Sequence, residues 1–443
     1  SAKKKRRGKR AIRAERLPEN LPVRTEECIP EEVVAEPHKW RRAGEETTDQ
    51  LEKEPGYFYI QRTVRPKFVP WDHPFQAPII EPAKPKIIDC GFWGPSLLSE
   101  VLTNKYLYHL PFYRQEQLYH YRFGIELSRK TMGDAAEKVS DMLGILVRRM
   151  KENMLVSGYI QADETPVTCL DRTHPKGSRK GYYWVYRGMD GEVIYNWCTS
   201  REHKHLKKWL GKHFQGVIQS DGYDAYESLV RSQALEGKPK IKRAGCLAHI
   251  RRKFENARDQ RPQTVRWFLK IIGRLYLIEQ LLRDQQADAE VRARQRQLDS
   301  RPLIDLLKKA IDHLLKTNVS ILPKSPLGQA LRYAQGQWPS MQVYLDHGEV
   351  EIDNNLVENA IRPSAIGKKN HLFIGHPEAG ERSAILYTLL ISAKAQGVDP
   401  QTYLTDIIKR LPGADPNDLD QLTPANWANE FKARQTQELQ QTA

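Results

Sequence analysis

The feature that most constrains the fold is a change of period near residue 158. Before it, apolar positions recur at helical spacing; after it they alternate or run together, as strands do. GYIQADETPV (158–167), KGYYWVYRG (180–188) and EVIYNWCTS (192–200) read as three strands. Asp190-Gly191, between the last two, is a hairpin signal. REHKHLKKWLGKHF follows as an amphipathic helix and GVIQSDGYDAY as an apolar strand ending in a carboxylate. KIKRAGCLAHIRRKF then gives a further short strand running into a basic helix. Antiparallel-capable strands, a crossover helix and more strands describe a mixed α/β sheet.

Helical regions flank and interrupt that sheet. Over 96–157 the pattern is helical. Gly124 breaks one helix and Ser128 caps the next, with Arg129 and Lys130 at its start. Such a pair is either a helix-turn-helix-like DNA-binding unit or a helical hairpin inside a core. Residues 255–345 carry two apolar stripes at helical spacing. One is Phe268, Ile271, Ile272, Leu275, Ile278 and Leu282; the other is Leu303, Leu306, Leu307, Ile311, Leu314 and Leu315. Between sheet elements, this stretch reads as a helical insertion into the α/β domain. The expected order is a small N-terminal module with a basic arm (1–65), a Pro-rich linker (66–95), the helical region (96–157), the first part of the sheet domain (158–254), the insertion (255–345), its second part (346–411) and a polar C-terminal tail (412–443).

Charge narrows the partners. Lys and Arg number 70 against 55 Asp and Glu, a formal charge of +15 over 443 residues. That favours a polyanion, nucleic acid first and an anionic membrane surface second. The arm SAKKKRRGKR, with Lys3, Lys4, Lys5, Arg6 and Arg7, suits phosphate contact or a solvated localisation tail. No apolar run is long enough to span a membrane and the N-terminus has no apolar signal core, so a cytoplasmic protein is expected. Cys28, Cys90, Cys169, Cys198 and Cys246 are widely separated, which suits reduced thiols rather than a disulfide framework.

The chemistry gathers at three acids. Asp163 and Asp221 each stand at the polar end of an apolar strand. Glu358 lies in EIDNNLVENAIRP (351–363), where Asn355, Glu358 and Arg362 share one helical face and Pro363 is expected to end the helix. Hard cations such as Mg²⁺ need oxygen ligands in an open cleft, and converging carboxylates supply them for phosphoryl transfer. Asn355, Asn359 and Arg362 could orient Glu358 without competing as anions.

QADETPV, QSDGYDAY, GCLAHIRRKF and DNNLVENAIRPSAIGKKNHLFIG, in that order, resemble the transposase of the IS66 insertion-sequence family. The similarity extends from LPENLPV near residue 20 through GPSLLSEVLTNKYLYHLPFYRQEQ to LTPANW. It implies an RNase H-like catalytic domain with Asp163, Asp221 and Glu358 as catalytic and metal-binding DDE residues, two Mg²⁺ ions, and Mn²⁺ as a substitute. It also implies that Cys246 and His249 match the family's CxxH element. From spacing alone that pair is half a zinc site at most, a core cysteine beside a buried histidine, or support for the site. RRAGEETTDQLEKEPGYFYIQRTVRPKFVPWDHP resembles the family's zinc-binding module without its paired cysteines, so no zinc is expected. His249, Arg251, Arg252, Lys253, Lys368 and Lys369 would line a basic approach to the acids, or form a solvated charged surface.

The resemblance further implies hydrolysis at the element's ends and transfer of the freed 3′-hydroxyl into target DNA. Its partners would be the terminal inverted repeats, target DNA, a second copy of the chain on DNA, and small accessory proteins of the same element. The alternatives are an RNase H-like nuclease or junction-cutting enzyme, and a catalytically dead DNA-binding protein.

Overall fold

The strand runs after residue 158 close into one five-stranded mixed sheet. The computed structural model describes residues 93–442 apart from 236–240 and 318–320, together with residues 56, 58, 67–68, 79–80 and 85–88. The basic arm and nearly all of the expected N-terminal module and linker lie outside the described residues. Within that region only a short antiparallel pairing is described, β1 (Lys67–Phe68) with β2 (Ile79–Ile80).

β3 (Tyr159–Leu170), β4 (Ser178–Arg187) and β5 (Val193–Cys198) form an antiparallel meander. β6 (Gly216–Gln219) and β7 (Ile241–Ala244) add in parallel on the other side of β3, giving the order β5-β4-β3-β6-β7. The Asp190-Gly191 turn forms as expected: Gly191 takes a φ of 85°, and the Glu192 N–H donates to Asp190 Oδ1 at 2.9 Å. Gly216 is required by a closer approach. Its φ is 140°, and a Cβ there would stand 1.9 Å from the Gly158 carbonyl oxygen, so only glycine lets β6 start beside β3.

Helices cover both faces of the sheet, so its strands are apolar on both sides. Tyr159 and Val217 enter one core while their neighbours Ile160 and Ile218 enter the other, the two-residue period of strands made visible. α1 (Pro95–Tyr106), α2 (Phe112–Phe123) and α3 (Arg129–Val156) precede the sheet. Gly124 ends α2 in the left-handed region and Ser128 Oγ accepts from the Thr131 N–H at 3.1 Å, as the sequence predicts. α3 buries Met132, Ala135, Val139, Leu143, Leu146, Met150 and Met154 along its whole length. That face packs into a core, while Arg129, Lys130, Asp134, Lys138, Asp141, Arg148, Glu152 and Asn153 on the helix are exposed.

α4 (His203–Leu210) links β5 to β6, α5 (Asp224–Leu235) links β6 to β7, and α6 (Leu247–Glu255) follows β7. Then come α7 (Pro262–Asp284), α8 (Ala289–Gln295), a π-helical turn (Arg296–Ser300), α9 (Arg301–Thr317), α10 (Pro326–Met341) and α11 (Val343–Asp346). Their apolar faces make the second core, with the Phe254 and Phe268 rings stacked at 4.4 Å. Two positions differ from the expected stripes: on α9 Leu306 is exposed while Ile304 is buried, and on α7 Glu279, not Ile278, is fully buried. The fully buried Arg296 meets it at 2.7 Å and 2.8 Å, and also donates to the Tyr344 and His347 carbonyls. A buried carboxylate persists only with such a partner.

α12 (Asn355–His371), α13 (Pro377–Ala395), α14 (Pro400–Arg410) and α15 (Pro424–Thr442) complete the chain. Two expectations are corrected here. Pro363 does not end its helix: α12 runs on to His371, because Pro363 removes one backbone bond while Val357, Ile361, Ser364 and Gly367 stay buried on either side of it. Residues 412–443 are not a bare polar tail. Leu422, Trp427 and Ala428 are buried, and Trp427 Nε1 donates to Asp406 Oδ2 at 2.7 Å.

Candidate active site

α12 is tied to the central strand at both ends, and that fixes Glu358 relative to Asp163. At its start the buried Asn354 side chain donates to the Ala162 carbonyl at 2.9 Å, next to Asp163. Beyond its end Ile374 exchanges backbone bonds with Thr168 and Leu170 at 2.8 Å, and Lys368 Nζ donates to the Pro166 carbonyl at 3.0 Å. The approach to α12 is held from below by side chains the sequence reading passed over. Gln219 is fully buried: it accepts from Tyr159 Oη at 2.5 Å and Gln161 Nε2 at 3.0 Å, and donates to the Glu351 carbonyl at 2.6 Å and the Gly245 carbonyl at 3.1 Å. Gln161 Nε2 also reaches the Asp353 carbonyl at 3.0 Å.

Asp163 leaves β3 half-buried and takes a 2.8 Å bond from the Glu164 N–H. Burial pushes its carboxyl up to about 8, and the charges of Glu164, Asp221 and Glu358 add to that rise. Asp221 and Glu358 are therefore near enough to bear on its charge. Asp221 follows β6, receives the Tyr223 N–H at 2.9 Å, and has its carbonyl held by Arg243 at 2.8 Å. Glu164 points to the opposite face of β3. There Arg201 pairs with it, Tyr226 Oη donates to it at 2.9 Å, and burial holds its carboxyl above the usual range. It is an anchored structural acid, and its place one residue from Asp163 on an alternating strand is the signal that separates the two.

Glu358 stands beside the basic helix α6. Its Oε1 is 3.7 Å from His249 Nδ1 and its Oε2 is 3.8 Å from Arg252. With Cys246 Sγ, the nearest ligand atoms of His249 and Glu358 all lie within 4.8 Å of one another. Cys246 is buried at the N-cap of α6, accepts from the Asn354 N–H at 3.2 Å, and has its thiol pushed up to about 12 by burial. Cys169, Cys198 and Cys246 are free thiols.

The other expected positions divide. Arg251, Arg252, Lys253 and Lys369 are exposed, on α6 and α12. Asn355 is not a partner of Glu358: its side chain donates to Asp353 Oδ2 at 2.8 Å, as does Tyr276 Oη, closing the first turn of α12 on itself. Asn359 and Arg362 are exposed on the same helix. Among the described residues no helix is long and apolar enough to cross a membrane.

A mixed α/β protein with a five-stranded mixed sheet and mostly helical surroundings is the class that the fold defines. The chain belongs to the IS66 family of transposases. The model of that transposase family matches residues 90–382, and that of the IS66 C-terminal element matches 388–425. Two proteins of Sinorhizobium fredii (strain NBRC 101917 / NGR234) are similar along most of the chain, both named only as uncharacterized. Protein y4jD is 31% identical over 399 residues, 87% of this chain and 76% of its own length. Protein y4qI is 31% identical over 417 residues, 91% of this chain and 76% of its own length.

Proposed function

We propose that the chain is a DNA transposase whose RNase H-like sheet carries Asp163, Asp221 and Glu358 as a DDE site. The observation that carries this is the like-charge burden on Asp163, whose carboxyl is raised by burial and by the neighbouring acids. Partly buried carboxylates that repel one another are costly unless a cation or a proton joins them, and the donors here are all hard oxygens, which fits Mg²⁺ or Mn²⁺. Two such ions, when bound, would supply the positive charge that phosphodiester cleavage and strand transfer need.

The protein's own contribution is positioning. β3 and β6 set Asp163 and Asp221, the bonds at both ends of α12 set Glu358, and the Gln219 network keeps the approach to α12 on the sheet. Arg251, Arg252, Lys253 and Lys369 would meet DNA phosphates, with Lys368 near the strand and Arg129, Lys130 and the basic arm farther along the chain. Terminal inverted repeats and target DNA are the partners, with a second copy of the chain assembled on them and accessory proteins of the element assisting.

The test is purified protein on supercoiled plasmid bearing the element's ends, with Mg²⁺ or with EDTA. Metal-dependent nicking at the ends with 3′-hydroxyl products, followed by joining to target, supports this function. Sequence-independent cutting would indicate a nuclease instead. Tight end binding without any cleavage would indicate a DNA-binding protein.

A further inference from the structure

Glu358 is offered to a second set of ligands. Its Oε1 and His249 Nδ1 are both shielded from solvent, and neither has a hydrogen-bond partner. They face each other at 3.7 Å. Ligand atoms around a tetrahedral zinc, with bonds of about 2.0–2.3 Å, stand roughly 3.3–3.8 Å apart, so this gap is already of the right width. Cys246 Sγ completes a triangle within 4.8 Å, and closing its longest side takes a side-chain movement of roughly an ångström. Cys246 is the N-cap of α6 and His249 lies in its first turn, so one rigid helix end presents both donors. The side chains of His249 and Glu358 are 23% and 26% exposed, which leaves an entry path.

We propose that Cys246, His249 and Glu358 bind a thiophilic divalent cation of the zinc class, and that its binding draws Glu358 away from Asp163 and Asp221 and restrains DNA cleavage. Sulfur, nitrogen and oxygen together suit Zn²⁺ or Co²⁺ and not Mg²⁺, which takes oxygen. A thiolate, a neutral imidazole and a carboxylate carry the two negative charges that balance such a dication, and the thiol proton is released to solvent as the metal binds. This site lies away from residues 28–90, on whose missing cysteine pairs the expectation of a zinc-free protein rests. The restraint, unlike the binding, rests on Glu358 acting with the two aspartates.

The experiment is a Co²⁺ titration of the full chain without DNA, read by the sulfur-to-cobalt charge-transfer band and the visible d–d bands. One equivalent is expected to give both, with Zn²⁺ displacing it. Cys246→Ser should abolish the charge-transfer band, and His249→Gln should weaken binding by about a hundredfold or more. Asp163→Asn should leave the spectrum unchanged. No sulfur band in the folded wild type, or a band that survives Cys246→Ser, overturns the site. His249→Gln covers the case in which Cys246→Ser fails to fold, since tight binding that survives it also overturns the site. In the plasmid assay, Zn²⁺ added over excess Mg²⁺ should suppress cleavage as the site fills; full occupancy with undiminished cleavage overturns the restraint. A protein with the cobalt spectrum but no cleavage under any metal would sink the transposase function and leave the binding site standing.

Discussion

Gln219→Met isolates the network under the site, because it keeps the length of the side chain and removes its four polar contacts. Gln219 is fully buried, so water does not replace them easily. Tyr159 Oη loses its acceptor, and the Gly245 and Glu351 carbonyls lose a donor. Gln161 keeps the Asp353 carbonyl and loses less. Each buried polar group left without a partner costs about 1–3 kcal/mol, and the new apolar volume offsets part of the sum, so a loss of about 3 kcal/mol is expected. Urea unfolding followed by circular dichroism measures it. Cleavage should fall as well in the fraction that remains folded, since the segment entering α12 loses its tie to β6. A stability loss below about 0.5 kcal/mol would refute the claim that this network holds the segment leading to Glu358.

Three further predictions rest on separate observations. With divalent cations removed, Asp163 should make stability fall as pH rises. The folded protein keeps a proton up to about 8 that the unfolded chain releases near about 4, so this stabilisation is complete below about pH 4 and lost through about 8; Asp163→Asn should flatten that slope in urea titrations at several pH values. Arg296→Met should cost about 3 kcal/mol or more, because it leaves Glu279 buried with only Arg292 beside it, and an unchanged urea midpoint would contradict that. Deleting residues 1–10 should weaken binding to all DNA alike and flatten its salt dependence; a lost sequence preference at constant salt slope would mean that the arm reads bases.

Much of this was legible in the sequence because it is written in local signals. The strands announce themselves by alternation, the turn by Asp190-Gly191, and the helix boundary by Gly124 and Ser128. Asp221 is visible as a carboxylate just past an apolar strand, whereas Asp163 lies inside β3, which runs on past the expected polar end to Leu170. What stayed hidden depends on distant partners. Gln161 and Gln219 look like any polar strand residues, yet their partners at Asp353 and Glu351 are more than a hundred residues away. Pro363 carries a strong local signal to stop, and burial of the helix on both sides of it overrides that signal. Helical spacing puts Asn355 on the face of Glu358, while a closer acceptor, Asp353, lies two residues back. Trp427 has a polar sequence around it, and its contact with Asp406, like that of Ala425 with Glu192, is with a residue distant in the chain.

The most direct test of the central claim is cleavage of element-end DNA in Mg²⁺ by Asp163→Asn, Asp221→Asn and Glu358→Gln, each beside a measurement of folding and of DNA affinity. Every one of these changes keeps the shape of the side chain and removes one negative charge from the site. Cleavage and strand joining are expected to fall by about a hundredfold or more in each variant. Affinity for the ends should hold or rise slightly, because an acid near the phosphates has been neutralised. A folded variant of any one of the three that retains near-wild-type cleavage would contradict the assignment of that acid, and with it the three-carboxylate site.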